Sequence, residues 1–213
     1  MPCIDLSFNL QGGPIPVDHG YYVYSAISRD VPAIHGDNQI GVHPIFGRLL
    51  GNRMLGLTES SRLTLRLPVD RIADVLSLAG KSLVLGDGCL VVGIPNSRVL
   101  VPATALESRL VVIKGFMEPG PFLDAVRRQL VALEIGGEPS LIPTGNAVAQ
   151  NATRGGGTKS PWLRRTLCIR DNEIVGFALR VEGLTAQESI LLQEKGIGGR
   201  RRFGCGVFVV ARG

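Results

Sequence analysis

The stretch EKGIGGRRRFGCGVFVV, from Glu194 to Val210, combines glycines with a run of basic residues near the C-terminus. Glycines frame the stretch on both sides, and three consecutive arginines, Arg200, Arg201 and Arg202, lie between them. Glycine lets a backbone approach other groups closely, and the backbone N–H groups of such loops can bind phosphate. The stretch therefore predicts contact with phosphate, either of a nucleotide or of a polynucleotide.

The position of the glycines argues against a nucleotide. A dinucleotide-binding fingerprint needs a strand, then the glycines, then a helix N-terminus, whereas here the glycines follow a predicted helix and precede a strand. The Gly-Lys-Ser/Thr sequence of a Walker loop is also missing from the stretch. Three adjacent arginines are better suited to successive phosphates of a polynucleotide, with glycines that let the loop lie against a strand. The alternative is a helix C-cap followed by a bulged edge strand, with the arginines in solvent.

Hydrophobic periodicity predicts the same order of elements in both halves of the chain: strand, helix, strand, strand, helix, strand. In the first half the segments are CIDLSFNL, HGYYVYSAISRD, QIGVHPIFGR, RLTLRLP, VDRIADVLSLAG and CLVVGI, after which PNS breaks the chain. In the second half they are LESRLVVIK, GPFLDAVRRQLVALE, LRRTLCIR, EIVGFALRVEGL, TAQESILLQEKG and FGCGVFVVAR. We therefore predict an α+β protein with tandem ferredoxin-like (RRM-like) β-α-β-β-α-β domains, at residues 1–103 and 104–213.

Two further features refine this prediction. Thr185 followed by Glu188 is the pattern of a capping box at the start of the last helix. The span EPSLIPTGNAVAQNATRGGGTKSPW interrupts the second half, and its composition predicts a loop that is poorly ordered around residues 146–160. Arg164 and Arg165 make the exit from this loop basic; the alternative is a solvated surface insertion.

The composition of the chain limits which classes of binding partner are expected. Lys and Arg number 23 against 18 Asp and Glu, and the resulting net charge of +5 indicates polyanionic partners; the alternative is a merely basic soluble protein. The four cysteines lie far apart in apolar runs, which indicates core packing in a reducing cytoplasm rather than a disulfide or zinc site. The N-terminus shows no signal peptide or spanning helix, so we expect a cytoplasmic protein that does not contact a membrane.

The spacing of the glycines resembles that of a known family. Gly196-Ile197-Gly198, five residues rich in arginine, and Gly204-Cys205-Gly206 form a G-h-G, x5, G-h-G pattern. This resembles the C-terminal glycine-rich loop of the RAMP superfamily, and in particular its CRISPR-repeat-processing endoribonucleases. DHGYYVYSAISRD is similar to the first helix of that family. The resemblance implies binding of CRISPR precursor RNA, its cleavage, retention of the mature guide RNA, and association with other subunits of a CRISPR interference complex.

Cleavage of RNA without a metal needs a base, an acid and a cation for the developing phosphorane charge. Histidine suits the first two roles, and the chain contains only His19, His35 and His43. In the family that the sequence resembles, a catalytic histidine often follows the first helix, which favours His35 over His43. His19 is better explained as a polar residue at the helix start. Arg29 is a candidate for the cation, although a solvated arginine at a helix end is the alternative.

We predict neither a metal site nor a cofactor, because no paired-carboxylate or H-x-x-x-H motif is present. A lysine that some family members pair with the histidine also has no counterpart in GDNQIGV. The predicted RNA-binding residues are Lys195, Gly198, Gly199, Arg200, Arg201, Arg202, Arg164 and Arg165. The rival interpretation is a non-catalytic RAMP-type subunit that only binds guide RNA. A generic RRM lacks support because aromatic residues make up only 5% of the chain.

Overall fold

The computed structural model describes residues 1–86, 88–144, 160–169 and 172–211. The chain forms two compact units that interleave in sequence. The first unit contains Met1–Leu100, Leu167–Asn172 and Arg200–Gly204, and the second contains Val101–Thr166, Glu173–Gly199 and Cys205–Gly213. The three arginines of the glycine-rich stretch therefore belong to the first unit, although their neighbours in sequence belong to the second.

The first unit is built on a five-stranded antiparallel sheet with the order β3-β6-β1-β8-β7. Its elements are β1 (Cys3–Gly12), β2 (Ile15–Pro16), α1 (Gly20–Asp30), β3 (Gly41–Val42), β4 (Arg48–Gly51), β5 (Met54–Gly56), β6 (Arg62–Pro68), α2 (Ile72–Val75), β7 (Ser82–Leu85) and β8 (Gly88–Val99). The order of β3, β6, β1 and β8 is the ferredoxin-like one, and the edge strand β7 is added beside β8.

The core of the first unit follows from strict alternation along β1. Ile4, Leu6, Phe8 and Leu10 are buried, whereas the residues between them are at least partly exposed. The buried side chains pack in one cluster with the inner face of α1, which carries Val23, Ala26 and Ile27. One face of the sheet is thus covered by apolar packing, and the polar residues of β1 lie on the opposite face.

The predicted helix VDRIADVLSLAG is wrong in length. Only Ile72–Val75 is α-helical, and 3₁₀ turns flank it at Val69–Arg71 and Leu76–Leu78. Val75 and Leu78 are buried, while Leu76, which the helical period places in the core, is 46% exposed. Because a 3₁₀ turn repeats every three residues, it brings Val75 and Leu78 onto one face.

The prediction that PNS ends the strand is also wrong. β8 continues through Pro95, which lies opposite Phe8 on β1, and the register shifts between Phe8 and Leu10. β7 pairs only as far as Val91, so β8 is an edge strand at Pro95. Proline is tolerated there because no ladder hydrogen bond is lost on the open side.

The segment GNRMLGLTES, between the predicted strands QIGVHPIFGR and RLTLRLP, has the composition of a turn-rich connection, but the structure shows more than that. It contributes to a separate three-stranded sheet with the order β2-β5-β4. Asn52 and Arg53, at the tip of the β4–β5 hairpin, both have positive φ, at 46° and 57°. Consecutive left-handed residues match the twist of a two-residue hairpin loop.

The second unit contains a similar antiparallel sheet, with the order β10-β12-β9-β13 and β11 also paired with β12. Its elements are β9 (Ala105–Val111), α3 (Pro119–Ala132), β10 (Glu138–Leu141), β11 (Arg164–Ile169), β12 (Asn172–Glu182), α4 (Ala186–Lys195) and β13 (Val209–Val210). The predicted α+β, ferredoxin-like class is confirmed. The capping box of α4 is confirmed as well, with reciprocal hydrogen bonds between Thr185 and Glu188.

Three further local predictions need correction or fall outside the described residues. Glu138–Leu141, assigned to a loop, is a strand that pairs with β12. The predicted poorly ordered span, around residues 146–160, lies outside the described residues except for Ser160. Cys89 is exposed rather than packed in a core.

Candidate active site and RNA-binding loop

The loop that carries Arg200, Arg201 and Arg202, which we call the arginine loop, is fixed against helix α1. Arg201–Phe203 forms a 3₁₀ turn, flanked by Arg200 and Gly204 in left-handed conformation. The Phe203 ring lies 5.2 Å from the Tyr24 ring, edge to face, and 6.0 Å from the Tyr21 ring. A Cβ on Gly20 would clash with the Phe203 carbonyl, so this glycine is what allows the loop to lie so close to the helix. The aromatic start of α1 therefore holds the loop.

The three arginines of the loop occupy different environments. Arg200 is exposed, and Arg201 is only 9% exposed. Arg202 is half-buried, and its guanidinium carbon lies 5.4 Å from the centre of the Tyr24 ring and 5.1 Å from that of Phe203. An arginine over an aromatic face is stabilised by cation–π attraction. Of the three, only Arg200 and Arg202 present their charge at or near the surface.

His35 follows the 3₁₀ turn Pro32–Ile34 and is exposed. The hydroxyl of Tyr24 donates a hydrogen bond to the Ile34 carbonyl at 3.3 Å and accepts one from the Gly36 N–H at 2.8 Å. The two rings of Tyr24 and His35 are stacked, with 6.4 Å between centroids and 29° between planes. Tyr24 is thus hydrogen-bonded to the backbone on both sides of His35, and its ring stacks with the imidazole.

Tyr24 consequently brings two predicted site residues together, since His35 and Arg202 both contact its ring. An exposed imidazole can accept or donate a proton near neutral pH, and a guanidinium can stabilise a developing negative charge. The sequence places Tyr24 among three tyrosines of the first helix, with Tyr21 and Tyr22, which could orient a ribose or base and of which at least one is expected in the core. Its burial is confirmed, but its role as the bridge between the two residues was missed.

His43 lies in a different environment, in an ionic cluster on the face of the sheet opposite the apolar core. Its Nε2 is 3.2 Å from Asp5 Oδ1, and Arg66 donates to both oxygens of Asp5 at 2.7 and 2.8 Å. Burial lowers the pKa of His43, only partly offset by Asp5, and the charges of Arg66 and Arg201 lower it further. Burial alone would raise the pKa of Asp5, but the hydrogen bonds and charges of His43 and Arg66 hold it well below its ordinary value.

This cluster fixes the tautomer of His43. Because Asp5 is ionised, its carboxylate can only accept, so Nε2 of the neutral imidazole carries the proton. Asp5 and Arg66 were missed by sequence reasoning, although they are directly opposite each other on β1 and β6. The sequence signal that the two residues share is a charged side chain within a strand whose polar and apolar residues alternate.

The remaining first-unit candidates have simpler surroundings. His19 is buried at the start of α1, where its Nε2 accepts the Ile45 N–H at 2.9 Å and its Nδ1 lies 3.0 Å from the Pro16 carbonyl. It therefore connects three segments of the backbone. Arg29 lies exposed in the last turn of α1 and makes no hydrogen bond or ion pair to any residue that the structure describes.

The glycines on both sides of the three arginines form what we call the glycine frame. Three of them, Gly198, Gly199 and Gly206, pack within the second unit. The N–H of Gly198 donates to Gln129 Oε1 at 2.8 Å, that of Gly199 to the Val112 carbonyl at 3.0 Å, and that of Gly206 to the Leu110 carbonyl at 2.7 Å. Gly198 has a φ of 77°, and a Cβ on it would clash with the Val112 carbonyl. The backbone donors that glycine-rich loops can offer to phosphate are here occupied by protein acceptors. Gly198, Gly199 and Gly206 thus lie against the end of β9 within the second unit.

The other predicted RNA-binding residues also lie in the second unit. Lys195 is exposed at the end of α4. Arg164 lies 5.4 Å from the centre of the Phe177 ring. Arg165 is half-buried, and burial lowers the pKa of its guanidinium. Its buried Nε has no hydrogen-bond partner among the described residues.

Within residues 1–86, 88–144, 160–169 and 172–211, no three His, Cys, Asp or Glu side chains are close enough together to hold a metal ion. No helix in those ranges combines the length and the apolar character that crossing a membrane requires.

The sequence matches a family model described as Cas6 Crispr over residues 4–213. It is also 35% identical, over 209 residues, to the CRISPR-associated endonuclease Cas6 of Myxococcus xanthus (strain DK1622), and this match covers 98% of the chain and 82% of the relative.

Solved structures agree on the fold. A RAMP protein that binds different RNA substrates superposes with a TM-score of 0.70 at 14% identity, covering 98% of this chain and all of the other. The product of a Cas6-related gene from Pyrococcus furiosus superposes with a TM-score of 0.69 at 14% identity, covering 98% of both chains. The predicted resemblance is therefore confirmed, and the chain belongs to the Cas6 family of CRISPR-associated proteins.

Proposed function

We propose that this protein is an endoribonuclease that binds CRISPR precursor RNA and cuts it within each repeat. The observation that carries the proposal is the exposed imidazole of His35, which stacks on Tyr24, the same ring that lies 5.4 Å from the guanidinium carbon of Arg202. A proton-transfer group and a cation on the two sides of one scissile phosphate are what RNA transesterification needs. Membership of the Cas6 family supports the same activity.

In the proposed reaction the 2′-oxygen of the nucleotide before the cut attacks the adjacent phosphorus. The bond from phosphorus to the 5′-oxygen breaks, which leaves a 2′,3′-cyclic phosphate on one product and a 5′-hydroxyl on the other. His35 either takes the proton of the 2′-hydroxyl or gives a proton to the leaving 5′-oxygen, water carries out the other of these two proton transfers, and Arg202 stabilises the charge of the phosphorane. Arg29 is a second candidate for that cation. The reaction as written needs no metal ion or cofactor.

His43 is the less suitable proton carrier of the two. Its side chain is 11% exposed, its Nε2–H is held by Asp5, and burial disfavours its protonated form. These surroundings fit a structural group, whereas those of His35 leave the imidazole accessible to a substrate.

The RNA is held, in this proposal, by phosphate contacts of Arg200 and Arg202 and of the second-unit cations Lys195, Arg164 and Arg165. Gly198 and Gly199 contribute through the shape of the loop, since their N–H groups are engaged within the protein. The mature guide RNA stays bound after the cut and is passed on with the protein to other subunits of an interference complex.

The experiment that tests the proposal identifies the product ends. Repeat RNA from the source genome is incubated with the protein in EDTA, and the fragments are examined for a 2′,3′-cyclic phosphate and a 5′-hydroxyl. The matched control is the same RNA with a single 2′-deoxy nucleotide before the cut, which removes the nucleophile. Cleavage of the control RNA would contradict the mechanism. Binding of the repeat without any cleavage would favour the non-catalytic guide-binding subunit.

A further inference from the structure

The β4–β5 hairpin of the first unit presents an unusual surface. Residues 46–50 are all exposed, and three of them are large and apolar: Phe46 at 58%, Leu49 at 59% and Leu50 at 47% exposure. Arg48 lies among them, and Arg53 follows at the tip of the hairpin. Clusters of exposed apolar side chains on one element are uncommon on monomeric proteins and mark sites of interaction.

The charge of this surface is of one sign. From Asn38 to Thr58 the sequence contains no Asp or Glu. Arg48 and Arg53 form no ion pair with any residue that the structure describes, unlike Arg66 and Arg71 of the same unit. Both guanidinium groups are therefore available to an external anion.

The hairpin is held firmly at its base. β2 pairs with β5, so that the buried Ile15 lies opposite the buried Leu55, and the Val17 N–H donates to the Arg53 carbonyl at 2.8 Å. The hydroxyl of the buried Ser61 donates to the Phe46 carbonyl at 2.6 Å. The exposed side chains are thus presented on a fixed backbone, which lowers the entropic cost of binding.

We propose that this hairpin is a second RNA-binding surface, separate from the arginine loop, that holds single-stranded RNA by stacking a base on Phe46 and pairing phosphates with Arg48 and Arg53. An exposed aromatic ring beside unpaired arginines is the combination that binds single strands with little dependence on sequence. The apolar Leu49 and Leu50 add contact area for bases and riboses. The inference rests on the proposed function, since it assumes an RNA substrate.

A second copy of the chain is the less suitable occupant. A two-fold dimer would place the same patch on both sides, so the arginines of each copy would face a surface whose charges are also positive. With no carboxylate between Asn38 and Thr58, the patch offers nothing to neutralise them. A polynucleotide supplies the missing anions and accepts the apolar ring as a stacking platform.

The test compares three variants with wild type by fluorescence anisotropy, using a labelled 20-nucleotide oligouridylate and the repeat RNA at several salt concentrations. Phe46→Ala should weaken binding of the oligouridylate about 5- to 100-fold, the range for loss of one base–aromatic stack, and Phe46→Tyr should restore it. The double variant Arg48→Ala/Arg53→Ala should reduce the salt dependence by about 1.4 in log–log slope, the value for two lost contacts to a single strand. Lys81→Ala/Lys114→Ala removes two exposed positive charges elsewhere and should change little.

The outcomes separate this inference from the proposed function. If wild type cuts the repeat but the hairpin variants bind both RNAs with unchanged affinity and slope, the inference is wrong and the endoribonuclease proposal stands. If wild type neither binds nor cuts repeat RNA, the proposed function is wrong. A dimer in light scattering that the hairpin variants convert to monomer, with RNA affinity unchanged, would assign the surface to self-association and overturn the inference.

A crosslinking measurement on the wild-type protein does not depend on how the variants fold. RNA containing 4-thiouridine is irradiated with the protein, and crosslinked tryptic peptides are mapped. The inference predicts adducts within residues 44–53. Adducts confined to the arginine loop would contradict it.

Discussion

The rings of Tyr24 and His35 are stacked, 6.4 Å apart, while the Tyr24 hydroxyl is hydrogen-bonded to the backbone on both sides of His35. This one tyrosine sets both the position of the imidazole and the conformation of the turn that carries it. Its other neighbour, Arg202, brings the arginine loop to the same ring. The proposed site is therefore organised around a residue that performs no proton transfer in the proposed reaction.

Tyr24→Phe should separate positioning from binding. The variant keeps the ring and its contact with Arg202 but loses the two hydrogen bonds, each worth about 1 kcal/mol. We expect the single-turnover cleavage rate to fall roughly tenfold while the Kd for repeat RNA stays unchanged, because less precise placement of a catalytic group lowers the rate. Equal losses in rate and affinity would show that the hydroxyl only supports the fold.

Substitutions of the three loop arginines should have different effects, depending on how exposed each arginine is. Arg200→Ala/Arg202→Ala should lower the log–log salt slope of RNA binding by about 1.4 to 1.8, as expected for two lost phosphate contacts. Arg201→Ala should instead lower the melting temperature, because the Arg201 side chain is 9% exposed and packs within the first unit. If the double variant keeps the wild-type salt slope of RNA binding, Arg200 and Arg202 are solvated surface residues that do not contact phosphate.

Gly198 and Gly199 form a matched pair for testing the glycine frame. A Cβ on Gly198 would clash with the Val112 carbonyl at a φ of 77°, whereas a Cβ on Gly199 would have no atom within 4 Å. Gly198→Val should therefore reduce both thermal stability and RNA affinity, and Gly199→Ala should leave both close to wild type. Wild-type behaviour of Gly198→Val would contradict the packing that we describe for the loop.

His43 should make the stability of the protein depend on pH. Because burial lowers its folded-state pKa below the ordinary value of about 6.5, the unfolded chain binds the proton more readily, and stability falls as the pH drops below about 6.5. Melting temperatures measured from pH 7.5 to 5 should fall for wild type. They should fall less steeply for His43→Gln, which cannot titrate. Identical slopes for the two proteins would show that His43 does not titrate as its burial implies.

The sequence predicts elements whose side-chain period is regular and whose ends carry a recognised signal. β1 alternates without interruption, and α4 begins with the Thr185 and Glu188 capping box, so both were predicted correctly. The segment after β6 failed because its apolar residues satisfy a helical period and a three-residue period equally well over so short a length. The prediction that the strand ends at Pro95 failed because proline is excluded only from strands that are paired on both sides. Strand pairing is a property of the tertiary structure and is not visible in the local sequence.

The candidate site was predictable in its residue types and not in their grouping. His35 was predicted because the chain contains only three histidines, which suit proton transfer, and because the family that the sequence resembles often has a catalytic histidine after the first helix. The contacts of Tyr24 with His35 and Arg202, like the pairing of Asp5 with His43 and Arg66, join residues far apart in sequence. Nothing in the local pattern reveals such contacts. The exposure of Phe46 and its neighbours was equally hidden, because an apolar run in sequence normally indicates burial.

The central claim is tested most directly by the single-turnover rate at which His35→Ala cuts repeat RNA in EDTA, measured beside wild type and His43→Ala. We predict that His35→Ala slows cleavage about 10²- to 10⁴-fold, the usual contribution of general acid–base catalysis, with the Kd for RNA unchanged. His43→Ala should have a milder effect that follows its loss of stability. A His35→Ala protein that cuts at the wild-type rate would contradict the assignment of this residue, and wild-type protein that binds the repeat without cutting it would contradict the proposed activity itself.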